Sequence, residues 1–266
     1  MLEPLEAFAY AGGEWSPAPP AAATAPTPVS LLTWNVWFGA HMFEERRAAL
    51  LTLLERRKPD VICLQEVTKE LLDAVLETPW IEHAYTLSSI ELVQTYDVAI
   101  LSRLPIKQLS QLPLPTTMGR RLVVAELACG LTIGTVHLES MKQSQRPRAA
   151  QLRLIQAALA AFGNAVLCGD MNFQPGDLIE DAALDPAFRD VWPALREDPG
   201  YTADSQINKM RFSLKPAMSR KRIDRVFVHG TGWMPTQIEL VGTEPIDLDG
   251  TFASDHFGLA CTLTAG

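Results

Sequence analysis

Ala165-Val166-Leu167-Cys168-Gly169-Asp170-Met171-Asn172 is the stretch from which the rest of the chain can be read. Four apolar residues break at Gly169 into Asp170 and Asn172. A short continuous apolar run bounded by turn residues predicts a buried strand, here one that delivers a carboxylate and an amide where the chain leaves the sheet. An Asx turn closing an ordinary strand accounts for the same letters. Three further stretches separate the two readings. Thr33-Trp34-Asn35 follows Val29 to Leu32, Leu64-Gln65-Glu66 follows Val61-Ile62-Cys63, and Ser254-Asp255-His256 precedes Phe257 to Ala260. Four predicted core strands edged by Asn, Glu, Asp and His describe a site assembled at one rim of a sheet system.

Outward from these motifs, the first 28 residues are rich in Gly, Pro and Ala and are expected to form a flexible leader. That leaves residues 29–266 as the catalytic domain. Strands are expected at Val29–Val36 and Asp60–Gln65. Helices are expected at Glu44–Arg57, which stops before Pro59, and at Lys69–Glu77. Val98–Ser102, Ile106–Leu112, Leu122–Ala128 and Leu131–His137 read as strands, with Cys129-Gly130 as a hairpin turn. Gln145–Phe162 has helical apolar spacing, residues 174–221 are loop-rich, and Ile223–His229 and Phe257–Leu263 close the sheets. Strands and helices intermix without strict βαβ alternation, which predicts two packed sheets covered by helices.

Composition bounds the function. The 266 residues carry 23 basic and 31 acidic side chains, a net charge of −8, and are 47% hydrophobic. This balance argues against a broad basic face for long nucleic acid but leaves room for a phosphate read locally through a cation. The four cysteines, Cys63, Cys129, Cys168 and Cys261, adjoin apolar residues at no zinc-type spacing and read as free buried thiols. No apolar run is long enough to cross a bilayer and no basic secretory n-region is present, so the protein is expected to be cytoplasmic and without membrane contact; the sequence is silent on oligomeric state, with a monomer favoured. Walker, Rossmann and nucleophile-elbow patterns are missing.

In chemical terms, Asn35 and Glu66 suit an oxygen-ligand site for Mg²⁺. Asp170 suits a group that orients or deprotonates water. His256 can place a hydrogen bond on phosphoryl oxygens, Asp224 in Arg222-Ile223-Asp224-Arg225 can hold its tautomer, and His137 ends another strand facing the same phosphate. Asp60 and Asp97 read as turn acids, the Arg46-Arg47 pair as a solvated helix face, Trp34 and Phe257 as core, and His41, His83 and His229 as surface or loop residues.

Taken in order, Thr-Trp-Asn, Leu-Gln-Glu, Gly-Asp-x-Asn, Arg-x-Asp and Ser-Asp-His resemble the endonuclease/exonuclease/phosphatase superfamily from about Leu31 to Thr264. His137-Leu138-Glu139-Ser140, Arg148, Gln151-Leu152 and Tyr201-Thr202-x-Asp204-x-Gln206-x-Asn208 are similar to its tyrosyl-DNA phosphodiesterase 2 subfamily. The resemblance implies an α+β fold, a four-layered αββα sandwich (DNase I-like) of two mixed or antiparallel sheets flanked by helices. It implies a catalytic set of Asn35, Glu66, Asp170, Asn172, Asp224, Asp255 and His256. It further implies Mg²⁺, with Mn²⁺ as a substitute, on Glu66, Asn35 and Asp255. Substrate contacts would come from His137, Ser140, Thr202 and Asn208, with Tyr96 packed against Arg120 beside a leaving tyrosine. The implied activity is hydrolysis of 5′-phosphotyrosyl or similarly blocked DNA ends, carrying a tyrosine or peptide, to a 5′-phosphate. Another phosphoesterase activity (on abasic sites, phospholipids or inositol phosphates) is the alternative, and a non-catalytic binding module a more distant one. Ala203 stands where the subfamily has an aromatic, which removes a wall for nucleobases.

Overall fold

The computed structural model describes residues 1–25, 28–214 and 217–266. The leader and loop assignments at Pro26 and Pro216 lie outside the described residues. Two sheets carry the fold. The seven-stranded sheet contains, in spatial order, β1 (Glu3–Leu5), β8 (Ile106–Pro113), β9 (Arg121–Leu127), β10 (Thr132–His137), β11 (Ala165–Asp170), β15 (Asp224–His229) and β12 (Arg189–Asp190). The eight-stranded sheet contains β16 (Trp233–Val241), β17 (Gly258–Ala265), β4 (Val29–Asn35), β5 (Val61–Thr68), β7 (Tyr96–Ser102), β6 (Thr86–Leu87), β2 (Phe8–Ala11) and β3 (Glu14–Pro17). A two-stranded ribbon joins β13 (Ala203–Asp204) to β14 (Arg220–Lys221).

The layers follow from period-two burial. Val29, Leu31, Val61, Cys63, Val98 and Ile100 from one sheet meet Val123, Ile133, Val166, Cys168, Val226 and Val228 from the other. The alternate residues face outward. Leu32, Trp34, Ile62 and Leu64 pack under α1 (Phe43–Arg57) and α2 (Lys69–Leu76), which contribute Leu50, Leu54, Leu71, Leu72 and Val75. On the far side Val124, Val136 and Leu167 pack under a long helix, Gln145–Ala160, through Leu152, Ile155 and Leu159. The result is the αββα sandwich, with the central strands β4, β5, β10 and β11 buried on both faces.

Three local readings are corrected. Residues 1–28 are not a detached leader: β1 pairs with β8, β2 and β3 form a hairpin, and β2 joins β6 through Phe8 opposite Leu87. Composition alone hid the alternation of Leu5, Phe8, Tyr10 and Trp15 around the Gly12-Gly13 turn, where both glycines have positive φ. Asp97 is not a turn acid but lies buried on β7, paired to Arg121 at 2.8 Å. Arg46 does not belong to a solvated face; it is 2% exposed. The short strands β6, β12, β13 and β14 were not expected, and the longest unexpected strand, β16, was missed because Pro235 reads as a strand breaker. It is accommodated at the sheet edge beside a register shift between Pro235 and Gln237.

Candidate active site

The inter-sheet rows end in polar groups at one rim. On β4 the inward row Val29, Leu31, Thr33 terminates in Asn35; on β11 Val166 and Cys168 terminate in Asp170; on β10 Ile133 and Thr135 terminate in His137. Register aligns them. His137 stands opposite Asp170, and Asp170 opposite Asp224, across three neighbouring strands. Asn35 stands opposite Gln65 in the parallel pairing of β4 and β5. Glu66 enters the same rim because β5 breaks register between Leu64 and Val67, with Glu66 itself at φ 62°. Gly169 is required where it is: its φ is 132°, and an added Cβ would lie 2.0 Å from the Val136 carbonyl oxygen.

Asn35 is the bridge. Its Nδ2 donates to Glu66 Oε1 at 3.0 Å and to Asp170 Oδ2 at 2.9 Å, while its Oδ1 accepts from the Trp37 N–H at 3.0 Å. The Phe38 N–H donates to Glu66 Oε2 at 3.0 Å. Asn172, at φ 53°, turns its N–H onto Asp170 Oδ1 at 2.8 Å and its Nδ2 toward the Leu138 carbonyl at 3.1 Å and Ser140 Oγ at 3.4 Å. Asp224 Oδ2 lies 2.8 Å from His256 Nδ1. The Asp224 backbone N–H and that of Ile223 donate to Thr202 Oγ1 at 3.1 and 3.2 Å.

Two groups of side chains bring their ligand atoms within 4.8 Å of one another: Glu66, His137 and Asp170, and Asp170, Asp224 and His256. Burial and the neighbouring Asp224 push Asp170 up to about 7. Burial opposes the charged form of His256, but Asp224, Asp255 and Asp170 outweigh it and carry the imidazole to about 10. His137 moves the other way, well below its ordinary range, through burial, Arg120 and His256. The rim therefore holds one cationic imidazole and one neutral one.

Arg120 completes this side. It is 6% exposed and has no carboxylate within 4.0 Å among the described residues. Its Nη2 lies 3.0 Å from Ser140 Oγ, 3.4 Å from the Tyr96 hydroxyl and 3.5 Å from His137 Nε2, and its Cζ is 5.3 Å from the Tyr96 ring centroid. A buried guanidinium facing a histidine, a serine and a phenol, instead of a carboxylate, suits an incoming anion.

Not every expected residue converges. Asp255 stands beside His256: its Oδ2 accepts from Arg211 Nη1 at 2.6 Å, its Oδ1 lies 3.9 Å from His256 Nε2, and its carboxylate is in neither ligand group. Thr202 and Asn208 are fully buried. Asn208 Nδ2 donates to the Ser254 carbonyl at 2.8 Å and its Oδ1 accepts from the Arg211 N–H at 3.0 Å. These two side chains brace the Asp224 and His256 loops instead of lining the opening. Arg211 and Phe38 were missed by sequence reading; neither belongs to a motif, and only their neighbours in space give them a role.

The family model described as "Endonuclease/Exonuclease/phosphatase family" matches residues 32–256. The chain belongs to this family. Tyrosyl-DNA phosphodiesterase 2 of Danio rerio is 29% identical over 248 residues, covering 88% of this chain and 66% of that protein. The Homo sapiens protein of the same name is 28% identical over 255 residues, covering 88% and 67%. The chain thus spans about two thirds of the length of these curated relatives. The crystal structure of Danio rerio TDP2 complexed with single strand DNA product superposes with a TM-score of 0.77 at 26% identity, covering 90% of this chain and 100% of that one. The four-layered fold expected from the motifs is the fold of these family members.

Proposed function

We propose that the protein is a metal-dependent phosphodiesterase that hydrolyses 5′-phosphotyrosyl or similarly blocked DNA ends to a 5′-phosphate, a DNA-end repair reaction. The carrying observation is the pairing, at one rim, of a carboxylate-rich cluster with a buried arginine that has no carboxylate partner among the described residues. The names of the relatives and the single strand DNA product held by the Danio rerio protein support this substrate class. A groove of about 460 Å³ opens beside Asn172; Lys142 and Lys221 in its lining, beside Asp177 and the Asp255-paired Arg211, give an acidic protein a local basic contact for a DNA strand.

Glu66 and Asp170 fit a hard cation: their carboxylates lie together, the neutral His137 adds no repulsion, and Asp224 Oδ1 is buried without a partner among the described residues. Asn35, expected as a ligand, turns its Nδ2 to both carboxylates and its Oδ1 to the Trp37 N–H, and so aligns them. Mg²⁺, which takes few carboxylates and keeps waters, is the ion this set suits, with Mn²⁺ as a substitute. When bound it would supply Lewis-acid stabilisation of charge on the phosphoryl group. The chain's own groups do the rest. Asp170 orients the attacking water and accepts its proton. As the water oxygen bonds to phosphorus, the bond from phosphorus to the tyrosine oxygen breaks. His256, kept cationic by Asp224, donates from Nε2 to a non-bridging oxygen. Arg120, with Ser140 and Asn172, holds the oxygens on the opposite side. A phenol of pKa about 10 leaves as phenolate, which Arg120 over Tyr96 stabilises. The free, buried cysteines support an intracellular setting for this reaction.

The test is hydrolysis of a 5′-tyrosyl oligonucleotide, measured with EDTA and after Mg²⁺ is restored, beside an abasic duplex, sphingomyelin and an inositol phosphate. Cleavage of the tyrosyl substrate alone, lost in EDTA and regained with Mg²⁺, is expected. Preferential turnover of any other member of the panel refutes the assignment.

A further inference from the structure

Phe38 stands at the edge of the rim with its side chain 49% exposed. Its position is nevertheless fixed. The backbone N–H is tied to Glu66 Oε2 at 3.0 Å, and the ring lies parallel to that of Tyr96, with centroids 4.7 Å apart and an interplanar angle of 9°. Tyr96 in turn carries Arg120 at 5.3 Å and stands 6.3 Å from the His137 ring. A half-exposed phenyl leaves apolar burial unrealised, and a ring packed on one face offers the other. Phe38 lies in the loop that follows β4 and Tyr96 on β7, both on the eight-stranded sheet's side; most of the residues lining the groove come from segments that connect strands of the seven-stranded sheet. Phe38 reaches the carboxylates through Glu66, and the groove reaches them through Asn172, whose N–H donates to Asp170. At the other aromatic position anticipated from the subfamily, Ala203 is fully buried and offers no ring.

We propose that Phe38 is a specificity-determining residue: its open face stacks on the aromatic ring of the leaving group, so the site favours aryl over alkyl phosphodiesters. This deepens the phosphodiesterase reading and rests on it for the identity of the reacting ester. The ledge needs no metal to bind a ring, so it can be tested apart from turnover.

The experiment uses the full chain as wild type, Phe38→Ala and Phe38→Trp, each checked for an unchanged melting profile. One arm measures kcat/KM for an oligonucleotide carrying a 5′-tyrosyl ester and for the same oligonucleotide carrying a 5′-alkyl ester. The other arm measures Kd for phenyl phosphate and methyl phosphate in EDTA by calorimetry. In both arms Phe38→Ala is expected to lower the aryl-to-alkyl ratio about two- to tenfold, the range of one stacked aromatic pair, and Phe38→Trp to restore it. An unchanged ratio in Phe38→Ala, or equal losses on both members of each pair, overturns the proposal. If the wild type does not cleave the tyrosyl substrate but its phenyl-over-methyl preference disappears in Phe38→Ala, the substrate assignment fails and the ledge stands.

Discussion

Replacing Arg46 tests whether the rim is held by a buried cation under the loop that follows β4. The guanidinium donates from Nη2 to the Val36 and Trp37 carbonyls at 2.9 and 2.8 Å, from Nη1 to those of Gly39 and His41 at 2.8 and 3.0 Å, and from Nε to that of Ala253 at 3.3 Å. Its Cζ also lies 4.2 Å from the centroid of the Trp37 ring. Burial lowers its pKa to about 10, so it remains charged at neutral pH. The carbonyls it gathers bracket the two N–H groups that fix the site: that of Trp37 on Asn35, and that of Phe38, between Trp37 and Gly39, on Glu66. Through Ala253 it also reaches the segment leading to Asp255 and His256.

Each hydrogen bond to a charged group contributes roughly 1.5–3 kcal/mol. The five do not add, because the carbonyls nearest the surface regain water once the side chain is gone. The two fully buried ones, on Val36 and Ala253, do not. Arg46→Met is therefore expected to cost on the order of 3–5 kcal/mol, much of a domain's total stability. Arg46→Lys, which keeps the charge but loses the fork, should cost about 2 kcal/mol. Urea denaturation of the EDTA-treated protein reads both, and kcat/KM should fall further than the folded fraction explains. A loss below about 0.5 kcal/mol for Arg46→Met, the value for a solvated helix position, would refute the reasoning.

Asp170→Asn should lower kcat about 10²–10⁴-fold, the contribution of a positioned general base, with the near-ultraviolet spectrum retained; turnover within tenfold of wild type contradicts its role. The same variant should flatten the metal-free stability profile. Asp170 titrates near 7 when folded against an ordinary 3.8, so its favourable contribution is complete below about pH 4 and lost as pH rises through 7, which melting in EDTA across that interval measures. For His256, about 10 when folded against an ordinary 6.5, the stabilisation is complete below pH 6.5 and disappears as pH rises through 10; His256→Gln should lack that alkaline loss, and an unchanged alkaline limb refutes the Asp224 pairing. Deleting residues 1–17 uncovers edges of both sheets, so the truncated chain should melt lower and aggregate more; an unchanged melting temperature contradicts the pairing of β1 and β2.

What the sequence made legible was what its local period encodes. Strands buried on both faces, such as Val61–Leu64 and Ala165–Cys168, announce themselves as continuous apolar runs, and their polar ends marked Asn35, Glu66 and Asp170. What stayed hidden depends on distant neighbours. Arg46 looks like any basic helix residue until the Val36–His41 loop folds over it. Asp97 looks like a turn acid until Arg121 pairs with it from another sheet. Thr202 and Asn208 were found through motif likeness, but their buried, backbone-bonded side chains make them supports, which no spacing conveys. The N-terminal strands escaped because a Gly/Pro-rich average obscures single apolar residues that need only a sheet edge to pair with.

Register explains why so few residues suffice. His137, Asp170 and Asp224 are direct cross-strand neighbours on one face, and a slip of one residue in β11 would turn Asp170 toward the helical layer and Gly169 toward the other carboxylates. The alternation that buries Val166 and Cys168 is therefore the constraint that aims Asp170, and Gly169, allowed no side chain by Val136, fixes the step between them. Burial, and then repulsion between two acids so placed, is why Asp170 holds its proton to about 7, while the neighbouring carboxylates keep His256 charged. A cation entering beside Glu66 relieves that repulsion and displaces the proton, so cation binding near neutral pH should release protons, and should do so less in Asp170→Asn. The core's hydrophobic pattern and the site's electrostatics are thus one constraint: the inward-facing rows that hold the two sheets together also bring the charges into conflict.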